Sequence, residues 1–241
     1  MAKRLLDRQA SLIEHLTSGA VIFGDRRAPI DPALRRLAQG PLRLEARFSF
    51  DKRMEKITAA FPRTFRLLGD ERDDVVRKFA DACPPTDIRR IANVRQFHAF
   101  VSARWRRKRP KIPYLPDVAA CELACAEVRA RVDERTDDAV IRPLRPRRRV
   151  RRHPAAVLLR CRFDVRSIFE HDGAVAPARR DTRLVVNMPP DADNPRMFEV
   201  EPAVHDLLSA LDDWIDPAAL GKELAPLVRD LTEHALIEVS A

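Results

Sequence analysis

Four cysteines and six histidines are the side chains best suited to hold a metal or attack a substrate, and their spacing assembles neither. Cys83, Cys121, Cys125 and Cys161 contain no CxxC pair and no finger-type spacing to a histidine, which reads as reduced, metal-free thiols. His15, His98, His153, His171, His205 and His234 each stand apart from any histidine or cysteine three or four positions away in a ligand arrangement. Glu170-His171-Asp172 clusters titratable groups. Adjacent residues in an extended turn project to different sides, however, and make a poor chelate. Gly19 and Gly24 have the spacing of a phosphate loop but continue Asp25-Arg26 where Lys-Ser/Thr is needed, and no GxGxxG, HExxH or GxSxG occurs. These residues predict no catalytic group, no metal site and no cofactor in this chain.

The elements that would position any site follow from the charge and the hydrophobic periodicity. The chain has 241 residues, 45% of them hydrophobic and 34% charged, with 6 glycines against 19 prolines. It is long enough for a real core and poor in loops whose amides could wrap a phosphate. No apolar run approaches 18 residues and no signal-like segment follows Met1, so a cytoplasmic protein is expected. The net charge of +9 hides two opposed parts. Residues 181–241 hold 13 acidic and 4 basic side chains, a net −9, which leaves +18 on residues 1–180. Two modules are the natural reading.

An α+β organisation is predicted: a helical domain over 1–135, an arginine-rich linker over 136–153 and a winged-helix-like domain over 154–241. Apolar residues recur at spacings of three and four through Leu5–Leu16, Val75–Ala82 and Val94–Val101, with breaks at Gly40-Pro41, Phe61-Pro62 and Cys83-Pro84-Pro85. After Pro116, Val118, Cys121, Cys125, Val128 and Val132 share one helical stripe, so both cysteines read as core. Basic tracts run from Arg104 to Lys111 and from Arg142 to Arg152, the second with seven arginines in eleven positions and prolines that favour an extended chain. Beyond Thr182 the period switches to two. Thr182–Met188 and Met197–Glu201 read as strands joined by a hairpin over 189–195. Helices follow at Val204–Leu211, at Asp216-Pro217 and at Leu224–Leu231, and Ala235–Val239 can return as a strand.

This order of elements raises a winged-helix DNA-binding regulatory protein as one function. The last helix, 224–234, offers Arg229 as its only cation against Asp230 and Glu233, a face that repels phosphate.

The segment Ala60-Phe61-Pro62-Arg63-Thr64-Phe65-Arg66-Leu67-Leu68-Gly69 carries more information than the composition. With it stand Phe79 through Cys83-Pro84-Pro85, Phe97 through Phe100, Pro113-Tyr114-Leu115-Pro116-Asp117 with Glu122, and His153-Pro154 leading into Leu158-Leu159-Arg160. In this order they resemble the HvfC/MbnC-type family, over residues 5–239. Leu44-Glu45-Ala46-Arg47-Phe48-Ser49 and Lys52-Arg53-Met54-Glu55-Lys56 place the likeness on its methanobactin branch. The resemblance implies a non-catalytic partner, in a heterodimer, of an iron-dependent oxidase of the MbnB type. The pair would convert cysteines of a ribosomal precursor peptide of the MbnA type into oxazolone and thioamide groups, with the iron held by the oxidase. It also implies a C-terminal element that captures a leader peptide as an added strand, the leader being basic. The docking edge is then expected at Arg183, Leu184, Val185, Val186, Asn187 and Met188, the alternative for this segment being an ordinary core strand. Phe61-Pro62 and Tyr114-Leu115-Pro116 read either as oxidase contacts or as buried turns, and a basic surface around Trp105 and Tyr114 as a place for the partner.

Overall fold

Proline opens four of the helices, because its fixed φ suits a first turn and its missing N–H is not needed there. Pro62, Pro116, Pro202 and Pro226 all sit in such positions. The computed structural model describes residues 5–25, 30–32, 34–35, 37–134, 148–171, 176–189 and 192–240. It is an α+β chain in two compact units, 1–113 and 114–241.

The first unit is helical: α1 (Leu5–Thr17), α2 (Gly19–Ile22), α3 (Gln39–Ala60), α4 (Pro62–Leu68), α5 (Arg72–Ala82) and α6 (Arg90–Arg107). The three periodic segments read from the sequence fall in α1, α5 and α6. Gly40-Pro41 lies inside the first turn of α3 instead of breaking the chain, and α6 takes in the first half of the first basic tract, up to Arg107. Phe97 is the centre of the core, fully buried, with the rings of Phe61, Phe65 and Phe79 at centroid distances of 5.3, 5.1 and 5.2 Å. Offset and edge-on pairs of this kind add to what area burial contributes. Phe61 is thus a core residue, and Trp105, 6% exposed, is no part of a surface patch.

The second unit contains α7 (Leu115–Asp133), β1 (Val150–Arg152), β2 (Val157–Cys161), α8 (Arg166–Glu170), β3 (Thr182–Asn187), β4 (Arg196–Glu199), α9 (Pro202–Ala210), α10 (Ala225–Glu233) and β5 (Ile237–Val239). A 3-10 turn at Pro217–Leu220 is capped by Asp216, whose carboxylate accepts from the Ala218 N–H. Strands β2, β3 and β4 form an antiparallel sheet in that order, and β1 pairs with β5 in a second, two-stranded sheet.

Two boundaries differ from the sequence reading. Helix α7, expected in the helical domain, belongs to the second unit because Ala124 and Val128 pack on Val186 of β3, which moves the division from 135 to 113. Residues 136–147 of the expected linker lie outside the described residues. Its remainder is not linker, since Val150–Arg152 pairs with Ile237–Val239 and Val150 is fully buried. The strands on either side of 189–195 pair as read, residues 190 and 191 lying outside the described ones, and the later helices fall where the sequence places them, but the closing strand joins β1 and not β3 or β4, so the winged-helix likeness extends to element order alone.

In the first unit, α2 approaches α5 so closely that a Cβ at Gly19 would lie 1.8 Å from Asp81 Oδ1 and 3.0 Å from the Asp81 backbone nitrogen. Gly19→Ala should cost about 1–3 kcal/mol by overpacking. Denaturant unfolding checks this, and adding Asp81→Ala should restore only part of the loss because the backbone contact stays.

Candidate peptide-binding sheet

Thr182, Leu184, Val185, Val186 and Asn187 of β3 are all fully buried. A strand with both faces covered reads as a nearly continuous apolar run, as this one does. On one face α7 covers Val157, Leu159 and Val186, with Met188 and Met197 beside them. On the other, Val185, Leu158 and Val200 pack with Leu208 and Leu211 from the α9 segment and Val228 and Leu231 of α10.

The edge expected at Arg183–Met188 is therefore corrected. Thr182–Asn187 pairs with β2 on one side and β4 on the other, so its main-chain groups are spent within the sheet and no added strand can reach them. The core-strand alternative is the one realised. The missed element is β2, which fills one side of β3. Its signal was present in Ala155, Val157, Leu159, Cys161 and Phe163, apolar at every second position. Arg183 points to the α9 side, 3.5 Å from Asp206, while the Asn187 amide donates to the His234 carbonyl at 2.9 Å and ties β3 to the turn after α10. Met188 lies just beyond the strand, half-buried against the α7 side.

The free edges belong to β2 and β4. Because the Val200 N–H donates to the Arg183 carbonyl, the residues of β4 that bond β3 are Phe198 and Arg196. Met197 and Glu199 then turn their N–H and C=O groups away from the sheet, and no described residue bonds them. Helices α7 and α9 both pack across β2 and β3. The outer strand β4 is left half-buried, with Arg196 exposed.

Charge is organised at the end of this edge. Asp164 meets Arg166 at 2.8 Å and Arg180 at 2.6 Å, and Glu199 of β4 meets the same two guanidinium groups, Arg166 at 2.6 Å. Hydrogen bonds from Arg166 hold Asp164 far below the usual carboxylate range, and those from Arg180 lower Glu199. On β2, Arg160 grips Asp181 through two bonds of 2.8 and 3.0 Å. The start of α7 is fastened by Asp117, whose Oδ2 accepts from the backbone N–H of Arg162 at 2.9 Å and of Phe163 at 3.0 Å. Burial nevertheless pushes this carboxyl up.

Cys121 of α7 and Cys161 of β2 touch, Sγ to Sγ 4.0 Å, both buried. That contact, with burial, keeps the Cys121 thiol well above its ordinary pKa and so protonated and inert. Cys125 is only half-buried. Among the described residues no group of three or more His, Cys, Asp or Glu could hold a metal ion. No described helix is long and apolar enough to cross a membrane.

No family model matches the chain, and no curated protein matches it.

Asp117→Ala leaves two N–H groups without an acceptor and should cost about 1–3 kcal/mol. Asp117→Asn keeps an acceptor oxygen and should cost less, as thermal melts will read. Asp164 and Glu199 titrate below their unfolded values, so their pairing stabilises the fold above the usual carboxylate range and is lost as pH falls below about 4. Arg180→Ala should therefore raise the pH midpoint of acid unfolding, and an unchanged midpoint would refute the linkage. Asp117, shifted upward, contributes with the opposite sign.

Proposed function

We propose that this chain is a non-catalytic partner subunit of the MbnC type, acting in the cytoplasm with an iron-dependent oxidase and holding the leader of a ribosomal precursor peptide. The observation that carries the reading is a three-stranded sheet, covered on both faces, whose β4 edge presents the backbone of Met197 and Glu199 without a partner among the described residues. An extended peptide completes such an edge with main-chain hydrogen bonds, while its alternate side chains set register. The net −9 of residues 181–241 favours a basic leader and steers it. Chemistry on the peptide's cysteines is assigned to the oxidase, and this chain contributes binding and orientation. Regulation through DNA is the weaker reading, because α10 would bring Asp230 and Glu233 to the phosphates.

The leader site thus moves from β3 to β4. Met197→Pro removes an outward N–H and leaves the Phe198 bonds to β3 in place. It should weaken a synthetic methanobactin-type leader about tenfold, as one or two lost hydrogen bonds imply. Met197→Leu should bind as the parent does. Calorimetric titration of the co-expressed complex, with circular dichroism to verify folding, decides. A folded Met197→Pro variant with full affinity would overturn the assignment.

A further inference from the structure

Ile88 is 94% exposed, the most exposed of the large hydrophobic side chains among the described residues, and it does not hang on a slack loop. The segment Cys83–Arg89 is pinned from beneath by three side chains of α3 and α6. Arg53 donates Nη1 to the Cys83 carbonyl at 2.8 Å and Nε to Asn93 Oδ1 at 2.7 Å, with its remaining nitrogen on Gln96. Asn93 passes its own amide hydrogens to the carbonyls of Asp87, at 2.9 Å, and Arg89, at 3.0 Å. Gln96 donates to the Pro84 carbonyl at 2.9 Å. The Arg53 guanidinium lies over the Phe79 ring, 4.5 Å from its centroid, and burial lowers its pKa to about 10. The pinned loop therefore holds an isoleucine out in water, and what gives it weight is the preformed cleft beside it.

Beside Ile88 opens a cleft of about 240 Å3, walled by Leu16, Ile22, Phe50, Ala80 and Pro85, with the Asp87 carboxylate at its edge held by Arg89. Lys52 and Lys56, one turn apart on α3, are exposed at its rim. Leu44 and Phe48, further along the same helix, are 72% and 53% exposed, with Lys52 Nζ 4.2 Å from the centre of the Phe48 ring. A preformed apolar hollow next to a fixed apolar projection is the relief of a protein interface, where a buried anchor supplies most of the affinity and preorganisation spares ordering entropy. The charge specifies the partner further. Residues 1–113 hold 26 basic and 13 acidic side chains, a net +13, so an acidic surface is the complement.

We propose that this cleft and Ile88 form the docking site for the partner subunit, receiving an apolar side chain flanked by carboxylates. The inference rests on the partner-subunit reading but uses residues of the first unit, none of which belongs to the peptide edge.

The test employs the full chain co-expressed with its oxidase, and separately a capped hexapeptide, Leu-Phe flanked on each side by two acidic residues. Ile88→Ser, and Lys52→Glu with Lys56→Glu, change exposed side chains only. Each should weaken the complex tenfold or more. Arg106→Glu with Arg107→Glu makes the same change of net charge on exposed residues at the end of α6, and should stay within threefold of the parent. The hexapeptide should shift the methyl resonances of Ile22 and Ile88 in the parent and not in the Lys52/Lys56 variant. Parent-like complexes from both cleft variants, or equal losses from the α6 control, would overturn the proposal. A parent chain that joins no oxidase defeats the partner-subunit reading instead, and the hexapeptide spectra then decide the cleft by themselves.

Discussion

The double burial of β3 governs the second unit. A strand with five of its six residues buried must find main-chain partners on both sides and apolar cover on both faces, since an unpaired buried N–H or C=O costs as much as a lost hydrogen bond. Strands β2 and β4 meet the first demand, and α7 with the α9 and α10 layer meets the second. The capture of α7 by this unit, the contact of Cys121 with Cys161 and the clamp of Asp117 on the β2 end all follow from covering one strand.

What the sequence made legible depended on how local the determinant was. Helices α1, α5 and α6, the pairing of the strands on either side of 189–195 and the helices after Pro116 and Pro202 are readable because period and turn chemistry act within a few residues, whereas α3 is hidden by the Gly40-Pro41 that reads as a break. Strand β1 is not readable, because Val150-Arg151-Arg152 sits in an arginine run and becomes a strand only through Ile237–Val239, far along the chain. The docking edge failed for the same reason: alternation in Thr182–Met188 announces a strand, while its place in the sheet is set by a non-local partner. The Arg53 network was equally invisible, joining three positions some 30 to 43 residues away.

The two units use charge differently. In the first, 26 cations against 13 anions leave a surplus that is not neutralised within residues 1–113. In the second, arginines are consumed internally: Arg160 by Asp181, Arg166 and Arg180 by Asp164 and Glu199, Arg151 by Glu238. The described end of a tract that reads as a solvated run, Arg151 and Arg152, thus becomes structural once its acidic complement arrives from elsewhere in the chain. Arg151 also lies over the Trp214 ring, 4.4 Å from its centroid, which adds an aromatic hold on the same strand.

The pairing of β1 with β5 bears on synthesis. Arg152 must wait for Ile237, 85 residues later, and at ordinary ribosomal speeds of about 5–20 residues per second that is a delay of several seconds. Throughout it, Val150 belongs to an unsatisfied strand edge of the kind that recruits neighbouring nascent chains. Arg148, Arg149, Arg151 and Arg152 surround it with like charge. They act as gatekeepers, repelling other copies of the segment until the acidic Glu238 on the proper strand arrives to neutralise one of them.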